Sequence, residues 1–287
     1  TEPLYLGKYE IREIKAPEGY VLNNEPKDVE LTYAGQEFEV RDTVDIEFEN
    51  EYQRVMIRLS KTMENDELFG IYGKDYYTSV RFGLFAAEDI TAADGTVIPA
   101  DGLLSEVSLD EDMTAKLDVQ IPFGRYYVQE IATDEHYVLN GEKYLVNFEY
   151  MGQDIQTVDI DCGQFVNLLK RGRIEGHKVD DKSEPLENAV FGLFTADCVK
   201  FSRDTAIMTA ASDENGCFEF TDVPFGKYIV REIESPRGCI LSDKEYTVSI
   251  SEDGEVIEIT AENKPITVEI SKRDVYGNEL EGAEMVL

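Results

Sequence analysis

The sequence predicts an all-β protein made of tandem sandwich domains, and three observations carry that expectation. Apolar and polar residues alternate with period two along many short runs, as they do in strands with one buried face. Tight-turn dipeptides punctuate those runs: Asp94-Gly95, Asp101-Gly102, Asn140-Gly141, Asn215-Gly216 and Asp253-Gly254. The chain also repeats itself about every 100 residues, a domain-sized period. Gly7-Lys8-Tyr9-Glu10-Ile11-Arg12-Glu13-Ile14 returns as Gly124-Arg125-Tyr126-Tyr127-Val128-Gln129-Glu130-Ile131 and again as Gly226-Lys227-Tyr228-Ile229-Val230-Arg231-Glu232-Ile233. No long stretch carries a capped helical period, so each repeat reads as a β-sandwich.

Further landmarks recur in the same order and set the boundaries. Phe82-Gly83-Leu84-Phe85 matches Phe191-Gly192-Leu193-Phe194. Strands ending in Asn occur at Phe48-Glu49-Asn50, Phe165-Val166-Asn167 and Ala261-Glu262-Asn263. Strands ending in Lys occur at Ile57–Lys61, Ile174–Lys178 and Val268–Lys272. On this reading residues 1–50 are the back of one repeat, 54–169 and 173–264 are complete repeats, and 265–287 open a further one, with Gly282–Leu287 paralleling Asn188–Leu193. The expectation is a window from a longer array, with each end stub docked on the neighbouring repeat. Pairing of residues 265–287 of one molecule with residues 1–50 of another, which would bring Lys272 near Glu13 and Asn50, is the rarer alternative.

Composition narrows the function. The 287 residues include 60 acidic and 27 basic ones, a formal charge of −33. That density repels phosphate backbones, and no local basic patch offsets it, so nucleic acid is not an expected partner. No apolar run approaches the roughly 18 residues of a membrane span. The four cysteines (Cys162, Cys198, Cys217, Cys239) have no metal-type spacing and read as ordinary small residues, with a bridge among the last three left open. No cofactor or metal is implied.

The informative residues emerge when each strand is split into its two faces, since alternate side chains point opposite ways. Val55, Ile57, Leu59 and Lys61 share one face, as do Ile174, Gly176 and Lys178, and Val268, Ile270 and Lys272. Tyr9, Ile11 and Glu13 align, as do Tyr126, Val128 and Glu130, and Tyr228, Val230 and Glu232. Ile46, Phe48 and Asn50 align likewise, as do Phe165 with Asn167, and Ile257, Ile259 and Ala261 with Asn263. Each complete repeat therefore aims one Lys, one Glu and one Asn at its core from three different strands.

Burying an unpaired ammonium or carboxylate costs several kcal/mol or more, so the pattern needs a reason. Two readings remain open at this point. The first is a buried Lys–Glu ion pair with a hydrogen-bonded Asn, or strand-end residues reaching solvent. The second is a covalent Lys–Asn isopeptide bond with Glu as the proton-transfer group. Burial disfavours both charged forms, leaving a neutral amine as nucleophile and a neutral acid to polarise the carboxamide and pass a proton to departing ammonia.

At these residues the sequence resembles a known family. Lys178-Val179-Asp180, the segment Ala189–Leu193, Asp213-Glu214-Asn215-Gly216, the Gly226-x-Tyr-x-Val-x-Glu232 strand and Glu13-Ile14-Lys15-Ala16-Pro17-Glu18-Gly19-Tyr20 look like the Cna B-type, or SpaA-like (prealbumin-like), repeats of Gram-positive surface adhesins and pilins. The resemblance spans essentially the whole chain. It implies tandem immunoglobulin-like β-sandwiches, each with an isopeptide bond joining first strand to last beside a catalytic acid. Carried over by position, the sets are Lys61–Glu130–Asn167 and Lys178–Glu232–Asn263, with Glu13 and Asn50 lacking a Lys, and Lys272 lacking its acid and Asn. Three departures stand out: the long insertion after Lys61, Asp134-Glu135-His136-Tyr137 where the first repeat has Pro-x-Gly-Tyr, and Gly176-His177 within a Lys strand.

The function this implies is a structural stalk segment of a cell-wall-attached surface protein or pilin, extracellular on a Gram-positive bacterium, whose partners are neighbouring repeats. It is not an enzyme beyond self-directed bond formation: His136 sits in a loop, His177 faces outward, and neither pairs with a nucleophile motif. Asp110-Glu111-Asp112 and the Asp89–Asp101 loop lack the spacing of a calcium loop. The alternative is an adhesin region that binds host extracellular matrix or glycans through the aromatic-rich insertion at 62–81.

Overall fold

In the computed structural model the described residues are 4–33, 44–267 and 270–282. They are almost entirely strand and loop, and no described helix is long and apolar enough to cross a membrane. The chain divides into two compact units, one of residues 1–65 and 72–168, the other of residues 66–71 and 169–287.

The first unit begins with an antiparallel pair, β1 (Gly7–Ile11) and β2 (Lys27–Leu31). The strands that follow are β3 (Arg54–Met63), β4 (Arg81–Ala86), β5 (Ile90–Thr91), β6 (Val97–Ile98), β7 (Leu103–Ser108), β8 (Thr114–Val119), β9 (Gly124–Ala132), β10 (Tyr144–Phe148) and β11 (Thr157–Asn167). They form a four-stranded sheet in the order β10-β9-β4-β7 and a three-stranded sheet in the order β11-β3-β8, with β5 and β6 as a short hairpin. Val55, Ile57 and Leu59 of β3, Phe82 and Leu84 of β4, Tyr126 and Val128 of β9, and Phe165 of β11 are buried between the sheets. Along β3, β4, β9 and β11 the buried apolar face is the one that alternation assigns, whereas Ile11 of β1, expected on the core side, is exposed.

The second unit uses β12 (Arg171–Val179), β13 (Val190–Thr195), β14 (Met208–Ala211), β15 (Cys217–Pro224), β16 (Gly226–Glu234), β17 (Glu245–Ile250) and β18 (Val256–Glu262). Its sheets run β15-β12-β18 and β14-β13-β16-β17, the same arrangement as in the first unit. Residues 66–71, from the insertion, belong here. Phe69 packs on the core edge-to-face with Tyr228, with ring centroids 5.6 Å apart, and Asp66 accepts a 2.9 Å bond from Arg171.

One topological feature positions everything that follows. In both units the lysine-bearing strand lies parallel to the closing strand, β3 to β11 and β12 to β18. Lys61 pairs with Phe165, two residues before Asn167, and Lys178 pairs with Ala261, two residues before Asn263. This common offset is reached although β11 carries a bulge between Asp161 and Gln164.

The Gly176 departure has a packing explanation. In β3 the residue two before the lysine is Leu59, paired with Ala115; in β12 it is Gly176, paired with Phe218. Large and small have changed places across the ladder, keeping the layer filled. A Cβ on Gly176 would lie 2.1 Å from the Phe218 ring, which itself stacks on Phe191 at a centroid distance of 3.9 Å.

Several expectations are corrected. Residues 44–50 form no strand. The closing strands β11 and β18 pair only with the Lys strand of their own repeat, and among the described residues no such strand lies beside 44–50. Asn140-Gly141 is not a tight turn but lies in the connection between β9 and β10, because the Asn140 N–H is drawn to Glu130. The bridge left open among the last three cysteines does not form, and all four are unbridged, as the reading of ordinary small residues expects. Val268, Glu269 and residues 283–287 lie outside the described residues, and Ile270–Lys272 is not strand. The turn after it does copy its counterpart. Leu280 N donates to Lys272 O as Leu186 N does to Lys178 O, and Asp274 N donates to Asn278 O as Asp180 N does to Glu184 O.

The Gly176–Phe218 exchange predicts a mutational cycle. Phe218→Ala should cost about 3–5 kcal/mol by leaving a cavity, and Gly176→Leu about 1–3 kcal/mol by overpacking. The double variant should recover most of both losses, read by hydrogen exchange in β12 and β15. Additive losses would contradict the exchange.

Candidate functional site

Lys61, Glu130, Asn167, Lys178, Glu232 and Asn263 are all at most 4% exposed. In the first unit β3, β9 and β11 bring their three together. Lys61 Nζ donates to Asn167 Oδ1 at 2.6 Å and lies 2.8 Å from Glu130 Oε1. Asn167 Nδ2 donates to Glu130 Oε1 and Oε2 at 3.0 and 2.9 Å and to Thr133 Oγ1 at 2.8 Å. The backbone N–H of Asn140 donates to Glu130 Oε2 at 2.8 Å.

The second unit repeats the arrangement from β12, β16 and the end of β18. Lys178 Nζ donates to Asn263 Oδ1 at 2.7 Å and to Ala261 O at 3.4 Å, with Glu232 Oε1 at 3.5 Å. Asn263 Nδ2 donates to the two Glu232 oxygens at 2.9 and 3.0 Å, and Ser242 N donates to Oε2 at 2.8 Å. Gly216 closes the turn beside the lysine. It has φ +74°, its carbonyl accepts the Lys178 N–H, and a Cβ there would sit 2.3 Å from Lys178 O.

Each amine also faces an aromatic ring. Lys61 Nζ lies 5.8 Å from the Phe82 centroid and Lys178 Nζ 5.9 Å from that of Phe191. These are the first phenylalanines of the repeated Phe-Gly-Leu-Phe motif, and each pairs across the sheet with the site's glutamate. Burial draws both lysine amines below the ordinary lysine range, and the neighbouring glutamate opposes that shift without reversing it.

The orphan residues behave differently from one another. Glu13 and Asn50 come together half-buried: Asn50 Nδ2 donates to Glu13 Oε2 at 2.6 Å and to Val21 O at 2.9 Å. Asn23 N donates to the same Glu13 oxygen at 2.7 Å. Lys272 is exposed and joins no such group among the described residues. In all three sites the N–H reaching the acid belongs to the residue ten positions after it: Asn23, Asn140 and Ser242. That spacing is a signal in the sequence, but side-chain alternation does not reveal it because these donors are backbone groups. Thr133 escaped it too, lying just past the end of β9 where strand alternation stops.

Chemically, each complete site holds an amine against a carboxamide with one carboxyl touching both nitrogens. Glu130 contacts the nitrogen that would lose a proton and the one that would gain it. The carboxyl faces the Nδ2 side of the carboxamide, and the hydrogen bond to its oxygen comes from the lysine N–H.

Residues 1–45 and 172–265 match the family described as the SpaA prealbumin-like fold domain. No curated protein sequence matches the chain. Among solved structures, the TIE protein of Bacillus anthracis superposes with a TM-score of 0.64 at 22% identity, over 91% of this chain. This chain spans 42% of that protein's length. The minor pilin GBS52 of Streptococcus agalactiae aligns at 17% identity over 76% of this chain and 99% of its own, with a TM-score of 0.33. A C-terminal fragment of the pilus adhesin SpaC of Lactobacillus rhamnosus GG aligns at 14% identity over 74% of this chain and 98% of its own, with a TM-score of 0.46.

The lowered lysine values carry a sign. Between the lowered folded value and the ordinary 10.5, the unfolded chain binds the proton that the folded chain has lost, so stability rises with pH across that interval. The test uses Asn167→Ala/Asn263→Ala, in which both amines stay amines whatever chemistry the sites perform. This chain should gain stability on raising the pH towards 10.5 relative to the same chain also carrying Lys61→Met and Lys178→Met. Parallel stability curves from denaturant titrations would contradict it.

Proposed function

We propose that this chain, which carries SpaA prealbumin-like domains over residues 1–45 and 172–265, is a stalk segment of a Gram-positive cell-surface protein or pilin. Its two complete repeats, 54–169 and 173–264, are each closed by a self-formed Lys–Asn isopeptide bond, and its partners are neighbouring repeats or subunits. The observation that carries the reading is the buried three-way contact of amine, carboxamide and carboxyl, built twice in one chain.

The reaction balances within the protein. The Lys61 Nζ–Asn167 Cγ bond forms, the Cγ–Nδ2 bond breaks, one proton passes from Nζ through Glu130 to Nδ2, and ammonia leaves. Lys178, Glu232 and Asn263 do the same in the second repeat. The product amide is neutral, so the desolvation cost of a buried ion pair is removed. A cross-link enclosing 106 residues in one repeat and 85 in the other would stabilise each by about 4–5 kcal/mol on the loop-entropy argument used for disulfides. Because β3 and β11, like β12 and β18, are the strands that the chain ends pull on, the bond takes the tension while the sandwich stays folded.

The rival reading, a ligand-binding surface on the 62–81 insertion, is weaker because two of the insertion's rings, Phe69 and Tyr76, are engaged within the protein, although Tyr72 is exposed. Phe69 packs on Tyr228, and Tyr76 packs on His136 and Tyr137.

Intact mass tests the proposal. The purified chain should fall short of its sequence mass by two ammonias. Glu130→Ala and Glu232→Ala should each restore one, and the double variant both. A full sequence mass in the unaltered chain would overturn the cross-link.

A further inference from the structure

The two complete sites are not equivalent, and the difference lies at the leaving group. The position three residues after the acid is Thr133 in the first repeat, Ser235 in the second and Ala16 in the half-site. Thr133 Oγ1 accepts a 2.8 Å bond from Asn167 Nδ2, in addition to the two bonds that Nδ2 makes to Glu130. In the second repeat Ser235 turns away, its hydroxyl donating to Cys239 O at 3.3 Å, and Asn263 Nδ2 donates to the Glu232 oxygens. At the half-site, where residue 16 has no hydroxyl, the backbone carbonyl of Val21 takes the hydrogen from Asn50 Nδ2 at 2.9 Å. The amine is also nearer its acid in the first repeat, 2.8 Å against 3.5 Å.

We infer that Thr133 is a positioning residue for cross-linking in the first complete repeat, holding the departing nitrogen so that this repeat closes faster than the second. The inference rests on the cross-linking chemistry proposed above. As Lys61 Nζ adds to Cγ, Nδ2 turns from planar to pyramidal and gains a lone pair that must meet the proton carried by Glu130. Nδ2 has two hydrogens. With one held by Thr133 Oγ1, rotation about Cγ–Nδ2 is restrained, so the other hydrogen and the developing lone pair stay on the side of the two Glu130 oxygens, one of which can take the hydrogen bond while the other returns the proton. The second hydrogen-bond acceptor serves only this orientation: Thr133 gives and takes no proton, and the balance of the reaction is unchanged. In the second repeat Nδ2 has Glu232 alone, so the same orientation must be found by fluctuation.

The chain supplies its own control, because both bonds would form in one molecule. Cell-free synthesis sampled over time, followed by proteolysis and mass spectrometry of the branched peptides, gives separate rates for Lys61–Asn167 and Lys178–Asn263. The unaltered chain should close the first repeat sooner. Thr133→Val should slow that bond by roughly threefold to tenfold, the span expected for one neutral hydrogen bond, and leave the Lys178–Asn263 rate unchanged. Thr133→Ser, which keeps the hydroxyl, should restore most of the rate, an outcome that a purely space-filling role for the threonine methyl would not produce. An unchanged first-repeat rate in Thr133→Val, an equal slowing of both repeats, or a Thr133→Ser chain as slow as Thr133→Val would each overturn the inference while leaving the cross-links standing. Absence of both branched peptides from the unaltered chain would instead remove the proposed function, and this inference with it.

Discussion

The structure depends on one constraint: a lysine amine and a glutamate carboxyl must sit inside an apolar sandwich, in contact with each other and with one carboxamide. Separately, each group would cost several kcal/mol to bury. Together they satisfy one another, and no buried side-chain polar atom among the described residues lacks a partner. Meeting the constraint requires three strands from two sheets at a fixed register. The parallel pairing of first and last strands supplies it, placing each asparagine two residues beyond the lysine's ladder partner. The phenylalanine of the Phe-Gly-Leu-Phe strand, paired with the acid, closes the site on its apolar side.

Around this fixed point the rest of each repeat varies. The layer below the lysine is filled by Leu59 and Ala115 in one repeat and by Gly176 and Phe218 in the other. The acidic excess that gives the chain its −33 lies mostly on outward strand faces and loops, where charge discourages edge-to-edge pairing of sheets. Glu130 and Glu232 are set apart from it by burial. Glu13 takes a hydrogen bond from Asn50 without a lysine, so an acid–carboxamide contact forms without the amine.

The sequence carried much of this in its alternation. Lys61 follows Val55, Ile57 and Leu59 onto the buried face, and Glu130 follows Tyr126 and Val128, so alternation alone places both. What alternation cannot reach is whatever lies off the strands or across them. Thr133 and the N–H groups of Asn140 and Ser242 sit in connections, where no two-residue period applies. The Gly176–Phe218 exchange looks like a weak strand until the facing strand is known, because the missing volume is supplied from across the ladder. Residues 44–50 have the pattern of a strand and do not form one, since a ladder needs a neighbour as well as a sequence. The bulge before Gln164 shifts register by backbone geometry, which side-chain pattern does not encode.

Pulling on single molecules tests most directly the central claim, that each sandwich is locked between its first and last strands. With both bonds in place, the force-extension record should show no release of the 106 residues between Lys61 and Asn167 or of the 85 between Lys178 and Asn263, at forces that unfold the Glu130→Ala/Glu232→Ala chain. Unfolding steps of those lengths in the unaltered chain would contradict the account.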